Sequence, residues 1–191
     1  MKNKIARIIE RRITADTRKK IGRIVRQRAL AGKKALDLGC GEGGSFNYSG
    51  LKMVGADRIK ERIAEKAYRK VIADADKRLP FKNKEFNAVI FSGVIQYLKN
   101  PESAVKEINR ILKPGGILVL TTVNRGSFLR ILGLIQKDPK RDAGECRIYS
   151  QQELKRLVRD NKFKVLDVSG ADFVWMPKSL SSNVVLVAVK D

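Results

Sequence analysis

Short apolar runs of the length of buried strands alternate with stretches of helical periodicity along most of this chain. The apolar runs predict seven strands, at residues 35–38, 52–56, 71–73, 86–91, 117–121, 163–168 and 184–189. Apolar positions at helical spacing predict helices over residues 59–70, 101–112 and 151–160. The last helix is preceded by Ser150, which has capping-box spacing to Glu153. Because strands that alternate with helices build layered sheets, the pattern predicts a doubly wound α/β domain.

The first 31 residues show helical spacing without a strand-like run. Two sets of apolar residues lie on either side of a segment of N-cap residue types, Thr14 to Thr17. The sets are Ile5, Ile8, Ile9 and Ile13, followed by Ile21, Ile24 and Val25. This predicts two helices and divides the chain into an arm, residues 1–31, and a domain, residues 32–191. Since amphipathicity is the default for a surface helix, we expect the arm to pack on the domain.

Positive charge is concentrated in the same arm. The chain has a net charge of +21, and residues 1–34 contain 13 Lys and Arg against only Glu10 and Asp16. Such a field attracts nucleic acid, anionic lipid or acidic substrates. A solvated helix face is the structural alternative, because net charge bears on nonspecific binding and not on fold.

Composition excludes several classes of active site. The chain has no histidine, which excludes Ser-His-Asp and Cys-His catalysis and histidine-containing metal sites. Its two cysteines, Cys40 and Cys146, build no disulfide framework and indicate a reducing, cytoplasmic setting. No apolar run is long enough to cross a membrane and no apolar signal region begins the chain, so we expect neither a transmembrane segment nor secretion.

The main candidate for chemistry is the stretch 35–44, Ala-Leu-Asp-Leu-Gly-Cys-Gly-Glu-Gly-Gly, in which a predicted strand runs into a glycine loop. Glycine lets the backbone adopt positive φ and approach a ligand closely. Open α/β sheets bind ligands at the carboxyl ends of their strands, so the loop predicts a ligand site there. Gly39, Gly41 and Gly44 also satisfy the dinucleotide fingerprint. Asp37 argues against that interpretation, since a buried carboxylate is costly unless it is hydrogen-bonded or receives a cationic part of a ligand.

A second candidate is Asp57, which ends the second predicted strand. A carboxylate at this place can accept hydrogen bonds from both hydroxyls of a ribose. Several nucleoside-binding folds share the feature, so Asp57 indicates a nucleoside without choosing among them.

Two motifs resemble those of a known family. The form D-x-G-x-G-x-G, at Asp37, Gly39, Gly41 and Gly43, resembles the first motif of class I S-adenosylmethionine-dependent methyltransferases. The order of a Leu-Pro-Phe triplet at 79–81, an apolar strand, a helix and a Leu-Lys-Pro-Gly-Gly run is similar to the group with quinone-biosynthesis, small-molecule and some tRNA-modifying members. The resemblance covers residues 35–124 and implies a Rossmann-like methyltransferase fold, with a seven-stranded, mostly parallel sheet and an antiparallel last strand.

The resemblance also implies S-adenosyl-L-methionine as the cofactor. It assigns the methionine part to Asp37 and the glycine loop, the ribose to Asp57, and the adenine to an acid after the third strand. The spacing to the Leu-Pro-Phe triplet is one residue off the family's for either Asp74 or Asp76; we prefer Asp74 and leave Asp76 open. The predicted cofactor set is Asp37, Gly39, Cys40, Gly41, Gly43, Asp57, Arg58, Asp74, Ala75 and Ser92.

The methyl acceptor is less well defined. Where family members often carry His-His, this chain has Gln96 and Tyr97, and we expect these residues and Asn124 to face the acceptor. Packing of Tyr97 and capping by Gln96 are the structural alternative. No catalytic base and no metal are implied, because the reaction depends on orientation and desolvation. The apolar stretch 128–135 favours a small-molecule or lipid-linked acceptor.

Two alternatives stay open. The basic arm, residues 1–31, fits an RNA acceptor such as tRNA, with salt-dependent phosphate contacts, although no aromatic-interleaved basic patch accompanies it. The other alternative is a noncatalytic, methyltransferase-like protein that binds nucleic acid or a partner through the arm. The intact Asp37, Asp57 and loop glycines argue against a decayed site.

Overall fold

The computed structural model describes residues 2–28, 33–41, 51–59, 69–132, 146–170 and 177–191. The strands are β1 Lys34–Leu38, β2 Lys52–Asp57, β3 Arg69–Ile72, β4 Phe86–Ser92, β5 Leu112–Val123, β6 Phe163–Gly170 and β7 Asn183–Lys190. The helices are α1 Lys2–Arg28, α2 Pro101–Ile111, α3 Phe128–Ile131 and α4 Gln151–Asp160, with 3₁₀ turns at Ile95–Tyr97 and Lys178–Leu180. Each strand overlaps an apolar run that predicted it, which confirms the alternating architecture.

The strands form one sheet in the order β3-β2-β1-β4-β5-β7-β6. All pairings from β3 across to β5 are parallel, whereas β7 pairs antiparallel with both β5 and β6. This confirms the seven-stranded, mostly parallel sheet and its antiparallel last strand. The strand order reverses between β1 and β4, and ligands of open α/β sheets bind at the carboxyl ends of strands at such a point. The glycine loop begins at this point, directly after β1.

One predicted helix boundary is wrong. The helix predicted over residues 59–70 does not reach its predicted end, because β3 begins at Arg69. Arg69 pairs with Val54 of β2, so hydrogen bonds to a neighbouring strand decide the local structure rather than helical spacing. Residues 60–68, the rest of the predicted helix, lie outside the described ranges.

The start of β5 also differs from the prediction, which placed it at residue 117 after a break. Leu112 already pairs with Phe86, and the register then shifts before Ile117 pairs with Ala88. The predicted break is therefore an irregularity inside the strand, with Gly115 at φ +69°.

The N-terminal arm forms one helix and not the predicted two. The Thr17 hydroxyl donates a hydrogen bond to the Ile13 carbonyl at 2.8 Å, four residues back, instead of capping a new helix. It also accepts a bond from Asn183 Nδ2 at 3.2 Å. Because the hydroxyl is satisfied inside the helix and by the sheet, α1 continues through the predicted boundary.

Helix α1 packs on one face of the sheet, as expected for the arm. Ile21 and Val25 are fully buried in a cluster with residues of five strands, Ala35, Met53, Ala88, Ile90, Ile117, Val119 and Val185. The part of α1 whose side chains the structure describes, residues 12–28, therefore contributes to the core. The division of the chain at residue 31 stays a prediction.

The opposite face of the sheet is covered by α2 and α4, which makes the fold doubly wound. Val105 and Ile108 of α2 and Leu154 and Val158 of α4 are fully buried in the larger apolar cluster. Helix α4 begins with the predicted capping box, in which the Ser150 hydroxyl accepts from the Glu153 amide and the Glu153 carboxylate accepts from the Ser150 amide. Asn100 caps α2 by accepting from the Ser103 amide at 3.1 Å.

Candidate active site

Asp37 lies in the middle of the sheet, on β1 between β2 and β4. Its neighbours across the ladder are Gly55 and Ile90, and its side chain is only 2 % exposed. Oδ2 is buried and has no hydrogen-bond partner in the structure. Burial, and then the charge of Asp57, raise the Asp37 pKa from 3.8 to about 7. A cationic group of a ligand would supply the missing partner, so this orphaned oxygen fits the ammonium group of an amino-acid moiety.

The described part of the glycine loop combines positive φ with close packing on one side and open space on the other. Gly39 and Gly41 have φ of +78° and +50°. The amides of Gly39 and Cys40 both donate to the Ala56 carbonyl, at 2.7 and 3.1 Å. A Cβ at Gly39 would lie 2.2 Å from Val94 Cγ2, whereas a Cβ at Gly41 would have nothing within 4 Å. No described residue therefore crowds the backbone at Gly41, which is compatible with a ligand loop; residues 42–50, with Gly43, lie outside the described ranges.

Asp57 connects the end of β2 to this loop. Its Oδ2 accepts from the Gly41 amide at 2.9 Å, and its Oδ1 accepts from the Ile59 amide at 3.1 Å. Each carboxylate oxygen has a second lone pair, so the residue retains the capacity to accept from two hydroxyls. The adjacent Arg58 is exposed.

Cys40 lies in the same loop. Burial raises the pKa of its thiol to about 12, and the charges of Asp37 and Asp57 act in the same direction. Because the thiolate is the reactive form, these surroundings disfavour Cys40 as a nucleophile.

The structure distinguishes the two acids considered for the adenine. Asp76 Oδ1 accepts from the amides of Lys99 and Asn100, at 2.9 and 3.0 Å, and so holds the turn that precedes α2. Asp74 Oδ1 accepts from the Asp76 amide at 3.0 Å, a local turn bond. Ala75 between them is buried. The geometry favours Asp74 for a ligand, because Asp76 already has a structural role.

Three of the polar residues predicted near the reacting groups make hydrogen bonds inside the protein. The Ser92 hydroxyl contacts that of Thr121 at 2.8 Å, and Gln96 Oε1 accepts from the Thr122 hydroxyl at 2.8 Å. Asn124 Nδ2 donates to two backbone carbonyls, of Ser179 and Ser181, at 2.8 and 2.7 Å.

Because Asn124 uses both of its amide hydrogens and Gln96 is buried, their side chains hold the carboxyl end of β5 in place. Tyr97 is half-buried. The acceptor roles of Gln96, Tyr97 and Asn124 stay predictions.

Two residues at this edge of the sheet were missed by sequence reasoning. Val94 follows the positive-φ Gly93 and fills the space beside Gly39, a contact that no local pattern reveals. Tyr149 lies beside Asn124 in a parallel bridge, and its hydroxyl is buried close to Arg147. Burial raises the Tyr149 pKa, although the nearby Arg147 opposes the shift. The sequence marked Tyr149 only as the residue before a helix cap.

Among the residues that the structure describes, no group of three or more Cys, Asp or Glu side chains is arranged to hold a metal ion. No helix in these same ranges has the length and apolar character needed to cross a membrane.

This strand order, with a glycine loop after β1 and an acid at the end of β2, defines the class of Rossmann-like, S-adenosylmethionine-dependent methyltransferases. A family model described as "Methyltransferase domain" matches residues 6–168, most of the chain. The chain belongs to this methyltransferase family. It is accordingly an enzyme of the methyl-transferring class, whose methyl donor is S-adenosyl-L-methionine.

Known relatives agree with this class. The mitochondrial ubiquinone biosynthesis O-methyltransferase of Rattus norvegicus is 30% identical over 162 residues, which cover 74% of this chain and 47% of that protein. An uncharacterized protein of Methanocaldococcus jannaschii is 29% identical over 147 residues, covering 76% of this chain and 71% of that one. A solved Thermotoga maritima structure, titled a SAM-dependent methyltransferase and possible histamine N-methyltransferase, aligns with TM-score 0.68 at 26% identity, covering 86% of each chain.

Proposed function

We propose that this chain methylates a small-molecule or lipid-linked acceptor, with S-adenosyl-L-methionine held at the carboxyl ends of β1, β2 and β3. The observation that supports the cofactor position is the buried Asp37 oxygen without a partner. A structural carboxylate would be paired, because burying an unpaired charge costs several kcal/mol. A cationic ligand group explains why the fold retains it.

Each part of the cofactor has a proposed protein partner. Asp37 holds the ammonium of the methionine part beside the backbone of Gly39, Cys40 and Gly41. Asp57, already fixed to the loop through the Gly41 amide, accepts from the ribose. Asp74 and the backbone of Ala75 contact the adenine. Arg58, Ser92 and Gly43 complete the proposed set.

The bound cofactor supplies a methyl group on a positively charged sulfur. The residues of the chain orient the two reactants and exclude water, and no histidine base is present to take a proton. Asp37 also changes its charge state, since a neighbouring ammonium lowers the pKa of a carboxyl group that burial raises to about 7. Below neutral pH, cofactor binding then releases a proton.

The acceptor is proposed from the surface beside the site and from relatives. Helix α3, which follows β5 at the carboxyl edge, exposes Phe128 and Ile131, as a lid over an apolar acceptor would. A relative is named as an O-methyltransferase of ubiquinone biosynthesis. Tyr97 is the proposed acceptor contact, and Gln96 and Asn124 support the strand ends from behind. The cell compartment proposed for the reaction is the cytoplasm.

Calorimetric titration with S-adenosylhomocysteine, run beside NAD, tests the cofactor. We expect binding of S-adenosylhomocysteine, no binding of NAD, and loss of binding in Asp57→Ala. The matched control is Asp160→Ala, which removes an exposed acid at the end of α4 and leaves binding unchanged. Binding of NAD, or of neither ligand, would contradict the proposal.

Transfer of a tritiated methyl group tests the acceptor. The chain is incubated with labelled S-adenosylmethionine and a lipid extract, the soluble low-molecular-weight fraction or total RNA of the source cells. Label in the lipid extract or in the soluble small molecules supports the proposed acceptor, and label in RNA supports the alternative that the basic arm binds an RNA acceptor. Bound cofactor with label in none of the three fractions supports a noncatalytic binding protein.

A further inference from the structure

Helix α1 has a row of basic side chains directed away from the sheet. At 3.6 residues per turn, positions 12, 19, 23 and 26 fall within about 60° around the helix, on the side opposite Ile21. These residues are Arg12, Lys19, Arg23 and Arg26, and all four are exposed. The row is about 21 Å long at 1.5 Å per residue. It presents a mainly positive surface to solvent, with the partly buried Asp16 beside the row between Arg12 and Lys19.

The apolar side of the same helix is already occupied. Ile13, Thr17, Ile21 and Val25 are buried against the rest of the chain. Amphipathic helices that lie on membranes insert their own apolar face, but over residues 12–28, where the side chains of α1 are described, that face is already covered by the sheet. If this part of α1 contacts a lipid surface, it does so through its charges, and apolar anchoring comes from elsewhere.

Helix α3 offers such an anchor next to α1. Leu129 is buried in a small cluster with Ile13 of α1 and the partly buried Leu180. Its neighbours Phe128, Ile131 and Leu132 are 38, 65 and 53 % exposed. Three large apolar side chains in and directly after one short helix are an unfavourable surface in water and mark an interaction site.

Helix α3 and the Ile13–Thr17 part of α1 lie at the edge of the sheet proposed to hold the cofactor, and the rest of α1 runs across the sheet face. Helix α3 follows the carboxyl end of β5, and Thr17 of α1 bonds to Asn183, which pairs with Val123 at the same end. The loop after β1 lies at the carboxyl edge too, because β1, β4 and β5 are parallel. A surface bound by α1 and α3 is thus close to the acceptor side of the site.

We propose that the basic row of α1 and the exposed apolar residues of α3 together bind an anionic lipid bilayer. The basic row attracts anionic headgroups, and Phe128, Ile131 and Leu132 enter the boundary between headgroups and acyl chains. A lipid-linked acceptor then reaches the site from the bilayer, a consequence that rests on the proposed function. Binding of the chain to the bilayer does not itself rest on the proposed function.

The basic row of α1 alone would also suit RNA. The exposed apolar residues Phe128, Ile131 and Leu132 would not suit it. Proteins recognise single-stranded RNA by stacking bases on aromatic side chains or on arginine planes. Among the three exposed residues only Phe128 is aromatic, and RNA offers no apolar phase for Ile131 and Leu132. A bilayer of anionic lipid satisfies both kinds of residue.

Vesicle co-sedimentation tests the proposal. We expect the chain to bind phosphatidylcholine vesicles only when they contain phosphatidylglycerol, and to bind less at high salt. Charge reversal of the row, R12E/K19E/R23E/R26E, lowers vesicle binding by at least about a hundredfold, given the contribution of each basic residue near an anionic surface. The matched control K113E/R156E/R159E/K164E reverses four exposed basic residues elsewhere and retains most of the binding.

A second variant separates the apolar contribution. The variant F128S/I131S/L132S weakens vesicle binding about tenfold or more, and its remaining vesicle binding still falls with salt. The proposal is overturned if both variants bind vesicles like the native chain, or if total RNA outcompetes the vesicles. S-adenosylhomocysteine binding is measured on every variant. Its absence with intact vesicle binding refutes the proposed function alone, and the reverse result refutes the docking surface alone.

Discussion

Two carboxylates of this fold, Asp37 and Glu107, have opposite environments. Glu107 of α2 accepts hydrogen bonds from the Leu79 amide at 2.9 Å and from Arg110 at 2.7 and 2.8 Å. Arg110 in turn donates to the carbonyls of Leu79 and Phe81. Asp37 is more deeply buried, yet one of its oxygens has no partner.

The pKa values follow these environments. Hydrogen bonds from Arg110, more than any other contact, lower the Glu107 pKa, whereas burial raises that of Asp37 to about 7. The paired carboxylate stabilises the turn around the Leu-Pro-Phe triplet. The unpaired one destabilises the free protein, and a ligand is the partner proposed for it. The comparison gives the two acids different expected responses to substitution.

The largest expected effect comes from Asp37→Asn. The amide cannot neutralise a ligand ammonium, so we expect S-adenosylhomocysteine affinity to fall by about a hundredfold or more, the cost of removing one partner of a buried charge pair. The same change removes a buried charge, so the free protein becomes more stable to urea at pH 8. Weaker stability together with unchanged affinity would assign Asp37 a structural role.

The stability of the free protein should depend on pH through the same residue. The folded chain holds the Asp37 proton more tightly than the unfolded chain, so its contribution to the unfolding free energy falls as pH rises from about 4 to about 7. The total change is at most about 4 kcal/mol. Glu107, with a lowered pKa, contributes with the opposite sign and loses its contribution on acidification. Urea unfolding at a series of pH values measures this slope as the difference between the native chain and Asp37→Asn, which keeps the contributions of the other carboxylates.

Gly39→Ala, in the glycine loop that follows Asp37, is expected to have the next largest effect. The residue combines φ of +78° with a Cβ position 2.2 Å from Val94 Cγ2, so we expect a loss of about 2 kcal/mol in stability and weaker cofactor binding. The double variant Gly39→Ala, Val94→Ala removes the clash but not the backbone strain. Recovery of part of the stability in the double variant identifies the clash; no recovery leaves strain as the sole cause.

Glu107→Gln tests the structural role of the paired carboxylate. One charged partner of Arg110 is lost while the shape is kept, so we expect about 2 kcal/mol of destabilisation with S-adenosylhomocysteine affinity nearly unchanged. Glu102→Gln is the control, because the exposed pair of Glu102 with Lys106 contributes less than about 0.5 kcal/mol. A strong loss of affinity in Glu107→Gln would remove the distinction between the two carboxylates.

The smallest effect is expected for Ser150→Ala, which removes the cap of α4 far along the chain from the glycine loop. The cost is about 1 kcal/mol of stability, measured by urea unfolding. Cofactor binding stays as in the native chain, since neither partner of the capping box belongs to the proposed set.

Much of the fold was predictable because its signals are local. Apolar runs located seven strands, and Ser150 with Glu153 located the start of α4. Asp37 and the glycines also stood out in the sequence, because a charged residue in a buried strand and a demand for positive φ are properties of single positions.

What the sequence by itself determined is therefore the order of elements, the class of enzyme and the start of the cofactor loop. Tertiary structure alone decided features that depend on partners distant in the chain. Thr17 looked like a helix cap until Asn183 and Ile13 satisfied its hydroxyl. The sequence preferred Asp74 and left Asp76 open, and only the fold showed that Asp76 accepts from the amides before α2. Each residue type has a fixed capacity for hydrogen bonds. Only the fold decides which of its polar groups bond within the protein, and therefore which polar side chains remain available to a ligand.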